Sequence, residues 1–266
     1  MKIFQSVIKY LAFALSLYLI VTSFELISDV FNMFTNKNNN KYNNESAILK
    51  CNLNDNINKL DIDLDISNLT IKYGTDYEIE TNNKIKCINK NNTLELTDSS
   101  LNHKIKNSSI VITIKKDKVF NEIDIDSDLG NVNIDELKTD KLDFDIDLGN
   151  TVIKSLDSRI VDIETDAGNF ELLNGNIDEL NVSSGLGRSK VNAKINGLGF
   201  IETDAGVIDL NLLDSISNYS FNIKNDVGSI MLNNEKITDK LIGNGNTKIN
   251  IKCDLGKINI NTKEIK

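Results

Sequence analysis

The sequence predicts an all-β fold: a parallel β-helix or β-solenoid with coils of about 19 residues, preceded by a single N-terminal transmembrane helix. Three observations carry this. Seven glycines (Gly130, Gly149, Gly168, Gly187, Gly206, Gly228 and Gly256) recur along the chain, and the first five are evenly spaced. Six of the seven stand in Asp-x-Gly, led by Asp128, Asp147, Asp166, Asp204, Asp226 and Asp254, while the seventh is Gly185-Leu186-Gly187. Each is flanked by strict alternation of apolar and polar residues. A period near ~20 with strand-like flanks marks a solenoid, in which one coil cannot bury its apolar face without a neighbour.

Residues 1–30 differ from the rest. Lys2 and Lys9 precede Tyr10 to Phe24, a run without charge, and Glu25 and Asp29 follow it. The run is short for a membrane span of ~20 residues, but Val7, Ile8, Leu26 and Ile27 extend it and the flanking charges can snorkel. Basic residues before the span and acidic ones after it keep the N-terminus cytoplasmic and place the remainder outside. A retained anchor is the preferred reading. A cleaved signal peptide, with Val21-Thr22-Ser23 as a weak cleavage site, is the alternative. Residues 31–48, rich in Asn, read as a polar tether.

Residues 49–266 read as the solenoid domain, with regular coils over 123–266. The stretch Leu60 to Ile71, LDIDLDISNLTI, is a disguised copy of LDFDIDLGNTVI from Leu142, with Ser67 in place of Gly149. The chain between Ser67 and Gly130 leaves room for about three degraded coils or an irregular cap. Strands are recognisable there near Thr93–Leu96 and Ile110–Ile114. In the regular coils, period-two alternation places successive side chains on opposite faces. Ile123, Ile125, Leu142, Phe144, Val161 and Ile163 are expected inside, and Asp124, Asp143 and Asp162 in water. At each corner, Gly supplies positive φ and Asp accepts hydrogen bonds from the turn N–H groups. These seven glycines and six aspartates form the expected structural ladder, with corners stacked every ~4.8 Å.

Chemistry-bearing residues are sparse. His103 is the single histidine and lies in a polar stretch, and Arg159 and Arg188 are the two arginines. No Ser, Thr or Cys nucleophile has a plausible base beside it. The glycines recur at the repeat period and are corners, not a phosphate cradle. Cys51, Cys87 and Cys253 lack metal-binding spacing; Cys253 occupies a packing position, and a Cys51–Cys87 bridge is open to a chain outside the cell. A net charge of −9 argues against a nucleic-acid partner. Asp126, Asp145 and Glu164 line up from coil to coil, as do Asp124, Asp143 and Asp162, and calcium would relieve their repulsion. A solvated acidic face is the preferred reading, so no catalytic, cofactor or metal site is expected. A polysaccharide lyase or hydrolase would need paired carboxylates in a groove and aromatic platforms; Phe144, Phe170 and Phe221 instead fall on core positions.

The segments IDIDSDLGNVNI, LDFDIDLGNTVI, FIETDAGVIDL and INIKCDLGKINI, behind one N-terminal membrane segment, resemble the bacterial putative-adhesin family of β-helical domains of unknown function. The resemblance covers about Leu60 to Ile265 and includes the opening stretch LDIDLDISNLTIKYGTDYEIE. It implies a surface or envelope-associated protein, in some members tied to envelope stress. Together with the residues read above, the expectation is a membrane-anchored, extracytoplasmic, non-enzymatic binding or structural module at the cell envelope, in adhesion or envelope stress. The expected partners are the membrane, through the N-terminal helix, and a cell-envelope protein or polysaccharide. A carbohydrate-active β-helix enzyme is the alternative function.

Overall fold

Of the two units into which the chain divides, residues 1–44 and 45–266, the computed structural model describes only the second, over residues 47–48, 53–98, 108–238 and 240–263. The expected membrane segment, the tether up to residue 46, His103 and Cys51 lie outside the described residues. No helix among the described residues is long and apolar enough to cross a membrane.

The described chain is all-β. In order, the strands are β1 (Ala47–Ile48), β2 (Lys59–Ile66), β3 (Asn68–Gly74), β4 (Glu78–Thr81) and β5 (Ile85–Lys90). Then follow β6 (Thr93–Asp98), β7 (Ser109–Lys115), β8 (Phe120–Leu129), β9 (Val132–Ile134), β10 (Leu137–Ile153) and β11 (Leu156–Ser215). A 3-10 turn at Ile216–Asn218 leads to β12 (Tyr219–Leu232), β13 (Glu235–Ile237), β14 (Lys240–Ile242) and β15 (Thr247–Lys263). All join one sheet whose strand path does not close.

The central pairing is parallel and offset by the sequence period. Leu137 pairs with Leu156, Leu142 with Val161, Phe144 with Ile163 and Ile153 with Leu172. In the same register Ile123 meets Leu142 and Ile125 meets Phe144. Because the offset equals the repeat, like stacks on like, and the alternation in one strand reinforces that in the next. The rows that result, such as Leu60, Ile123, Leu142 and Val161, are fully buried. The core is aliphatic, with Phe120, Phe144, Phe170, Tyr219 and Phe221 the large rings. Each such side chain contributes ~1.5–3 kcal/mol on burial. Cys253 is free and buried in the row of Thr203.

Sequence order is kept in the middle and broken at both ends. At the N-terminal end β2 lies directly against β8, with β6 on its other side, and β3 lies between β9 and β7. The residues between Ser67 and Gly130 therefore do not insert three coils. Between β3 and β8 the chain folds outward as one extra layer, β6 and β7, edged by antiparallel β5 and β4, with β1 pairing β4. At the C-terminal end β15 inserts between β11 and β12, so the Gly228 repeat lies beyond the Gly256 repeat. Antiparallel β13 and β14 then edge β12. Outer antiparallel strands cover backbone groups that an open parallel layer would offer to another chain.

The expected reason for glycine, positive φ, holds at four of the seven corners, and a second reason holds at all of them. Gly168, Gly187, Gly228 and Gly256 do have positive φ, between 143° and 155°. Gly130, Gly149 and Gly206 do not. What all seven share is close backbone approach. A Cβ on Gly149 would overlap the carbonyl oxygen of Gly130, one on Gly168 that of Gly149, and so on through Gly187, Gly206, Gly256 and Gly228. The ladder starts where Gly130 meets the carbonyl of Ser67. Ser67 itself faces the outer layer, where its hydroxyl bonds the buried Asp98 at 2.5 Å and Ser108 at 2.6 Å.

Candidate functional site

Because the interior is filled, anything the molecule recognises meets its outer rows. The most distinctive of these form an acidic face on the N-terminal half. Register places Asp61, Asp124, Asp143 and Asp162 in one row and Asp63, Asp126, Asp145 and Glu164 in the next. The corner aspartates Asp128, Asp147 and Asp166, exposed, form a third, just before the paired Leu129, Leu148 and Ala167. Neighbouring strands are ~4.8 Å apart, so the carboxylates inside a row, such as Asp124, Asp126, Asp143 and Asp145, face like charges on both sides.

The electrostatics follow from this crowding. Asp124 is raised above the usual carboxylate range, first by partial burial and then by Asp143 and Asp61. Partial burial, then Asp63, Asp128 and Asp147, raises Asp126. Asp145 is raised in the same way, with Glu164 and Asp126 its main like-charged neighbours. Relief comes from the margins: Lys59 lies 3.3 Å from Glu122, Lys141 donates to Asp143 at 2.7 Å, and Asn181 donates to Asp162 at 2.6 Å. Among the described residues no group of three or more His, Cys, Asp or Glu side chains has the geometry to hold a metal ion.

Beside the acidic face runs an asparagine ladder that composition alone did not reveal. Asn131 donates its amide to Asn68 at 3.0 Å, Asn150 to Asn131 at 3.3 Å and Asn169 to Asn150 at 2.7 Å. The periodic signal was present in the sequence, since Asn131, Asn150 and Asn169 each follow a ladder glycine directly. Arg188 takes the next position and bonds Asp209 at 2.5 Å, while Arg159 bonds Asp140 at 2.8 Å. Both arginines are thus engaged in surface ion pairs.

The predicted ladder residues divide by role. The glycines pack backbone on backbone, as described. The corner aspartates are not turn caps: none of Asp128, Asp147, Asp166, Asp204, Asp226 and Asp254 accepts a hydrogen bond from a backbone N–H among the described residues. Their side chains point to water or to lysine. Lys224 lies 3.1 Å from Asp226, and Lys252 lies 3.3 Å from Asp254 while also pairing with Glu202. Cys87 is disulfide-bonded.

No family model matches the chain, and no curated protein matches it. Among solved structures, a protein from Bacteroides fragilis described as a putative adhesin is similar over 81% of this chain and 95% of its own, at 18% identity and a TM-score of 0.56. The chain shares the all-β fold of that adhesin-like protein. Two further structures match less of the geometry. A putative cell adhesion protein from Clostridium sporogenes covers 82% of this chain and 98% of its own at 16% identity, with a TM-score of 0.34. A putative lipid binding protein from Parabacteroides distasonis covers 83% and 96% at 11% identity, with a TM-score of 0.35.

Proposed function

We propose that the chain is a membrane-anchored, extracytoplasmic β-solenoid that acts as a non-enzymatic binding or structural module at the cell envelope. The observation that carries this reading is the in-register stack, in which parallel strands repeat at the period of the glycines around a solid aliphatic interior. Such a stack presents rows of identical side chains at fixed spacing, which suits it to recognition or support more than to bond-making. The ladder of glycine corners is its scaffold in this reading, with the corner aspartates on its outer side. The disulfide at Cys87 fits an oxidising compartment. The lysines before Tyr10 and the acids after Phe24 fit an orientation with the domain outside. The Bacteroides protein of like fold is described as a putative adhesin, which agrees with a binding role.

Protease treatment of intact cells tests the reading. The expected result is loss of the domain from residue 49 onward, with a short N-terminal fragment left in the membrane. A fully protected domain would overturn the orientation, and release of the whole chain into the medium would replace the anchor by a cleaved signal.

A further inference from the structure

The C-terminal break in sequence order has a cleft beside it. To reach the outer position of β12, the chain leaves β11 through the 3-10 turn Ile216–Asn218, then returns to β15 through residues 243–246. The two connections are locked together. Gly245 N–H donates to the Tyr219 carbonyl at 3.1 Å, and a Cβ on Gly245 would overlap the backbone of Asn218 and Tyr219. The first connection is further fixed by Ser215, whose hydroxyl accepts from Ser217 N–H at 3.3 Å. Between them lies an open cleft of about 470 Å³. That volume falls in the ~300–1,000 Å³ range of small-ligand sites.

Its lining has one chemistry. Asn196, Asp214, Ser217, Asn218, Asn244 and Asn246 supply the wall, and Ile195 is the single aliphatic side chain there. The Asn196 amide is already held by Asn176 and Asp178, at 3.3 and 3.1 Å. By contrast, the exposed amides of Asn218, Asn244 and Asn246 have no hydrogen-bond partner among the described residues. Each can donate twice and accept at its oxygen. No Lys or Arg lines the cleft, and the lone carboxylate, Asp214, is approached from the side by Lys194 at 3.8 Å. An anion finds no positive charge here. A calcium ion, wanting six to eight oxygens about one point, finds one carboxylate in a space far larger than itself. A greasy ligand finds almost nothing apolar.

We propose that this cleft binds a neutral, hydroxyl-rich ligand, a sugar unit alone or within a glycan chain. Sugar hydroxyls both donate and accept, which matches three free amides, the Ser217 hydroxyl and one carboxylate. The proposal rests on the reading of the chain as a binding module and gives that module its ligand class.

Saturation-transfer NMR on the full chain in a non-sugar detergent tests it, with methyl α-D-glucopyranoside, maltose and N,N′-diacetylchitobiose as probes. Transfer to at least one sugar is expected, with affinity at least ~10-fold weaker in Asn218→Ala/Asn246→Ala at an unchanged melting temperature. Those two amides make no hydrogen bond among the described residues, so the variant is expected to keep its fold; if it does not, Asn244→Ala supplies the same readout. No transfer to any probe at ~10 mM, well above a millimolar dissociation constant, would overturn the site. So would transfer that the variant leaves unchanged, or binding of inorganic phosphate at these residues in place of sugar. Appearance of new reducing ends from maltose would instead overturn the non-enzymatic reading and leave the sugar site standing.

Discussion

The layers holding Asp61 to Asp166 and those holding Glu202 to Asp254 share one backbone and differ in charge. In the first group Asp63, Asp126, Asp145 and Glu164 are consecutive neighbours, and none has an ion pair among the described residues. In the second, Glu202 is followed by Lys252 and Lys224, and Lys252 serves both Glu202 and Asp254. Inside, the two groups are alike: buried aliphatic rows, and glycines packed on the carbonyl before them. The fold therefore fixes what points inward and what stands at the corner, and leaves the outer rows free. A row of uncompensated carboxylates is not demanded by the stack, since the same stack is built with lysines a few layers on.

The largest expected effect tests the shared part. Gly149→Val in the acidic layers and Gly256→Val in the compensated ones should each destabilise by about 3 kcal/mol or more, because the new side chain meets backbone that cannot move without shifting two layers. Denaturant midpoints would measure this. Equal losses would confirm that both regions depend on one backbone ladder. A tolerated Gly149→Val, or a loss no greater than that from the same change at Ser67, would show that the layers are not packed as tightly as described.

Much of this scaffold was legible beforehand. Alternation in LDFDIDLGNTVI correctly assigned Leu142 and Phe144 to the core and Asp143 to the outside, because a period of two has only one consistent burial. The need for glycine was legible and its cause only in part: positive φ is a local property and holds at Gly168, Gly187, Gly228 and Gly256, whereas the approach of Gly149 to Gly130 exists only once the layers are stacked. The reversed order of the Gly228 and Gly256 repeats was signalled only by their intervals, which are longer than the even spacing from Gly130 to Gly206. Extra length permits a crossover without stating its direction. For the same reason the cleft beside Asn218 and Asn246 was missed. Its residues belong to the connections, which carry no periodic signal.

The next effect in size attacks the difference itself. Lys252→Met should turn the compensated layers into acidic ones, leaving Glu202 and Asp254 without their shared cation. Lys252 is held well above its ordinary value, first by its hydrogen bond to Glu202 and then by Asp254. The variant should melt below wild type at low salt, and the gap should close as salt screens the freed carboxylates. Loss of stability that salt does not change would mean that the lysine acts through its alkyl stem instead.

Smaller effects are expected on the acidic side. Folding raises the proton affinity of Asp124, Asp126 and Asp145, so the folded chain holds more protons than the unfolded one between the ordinary carboxylate value and the raised one. Their contribution to stability therefore falls as pH rises through that window and returns on acidification. Asp140 works the other way, because its hydrogen bond from Arg159 holds it low. Asp126→Asn/Asp145→Asn should stabilise the chain at neutral pH by roughly 0.2–1 kcal/mol, toward the lower end because both groups are exposed. The gain should vanish near about pH 4, where the wild-type carboxylates are themselves taking up protons. Denaturant midpoints at the two pH values decide it, and a variant less stable than wild type at neutral pH would show that these carboxylates are not in mutual repulsion.

The smallest expected effect is that of calcium. Ligands that bind only the native state stabilise it by mass action, and a site saturated about 100-fold over its dissociation constant would add about 2.7 kcal/mol. The acidic face should not reach this. Its carboxylates project from parallel strands in straight rows, so an ion between two layers meets oxygens from one side, whereas calcium requires six to eight around it. Diffuse attraction of calcium to the face is expected, and it should be matched by magnesium at equal ionic strength. A melting shift specific to calcium, present in wild type and absent in Asp126→Asn/Asp145→Asn, would show that the rows do assemble a site and that their crowding, relieved by lysine in the C-terminal layers, is relieved by metal in the others.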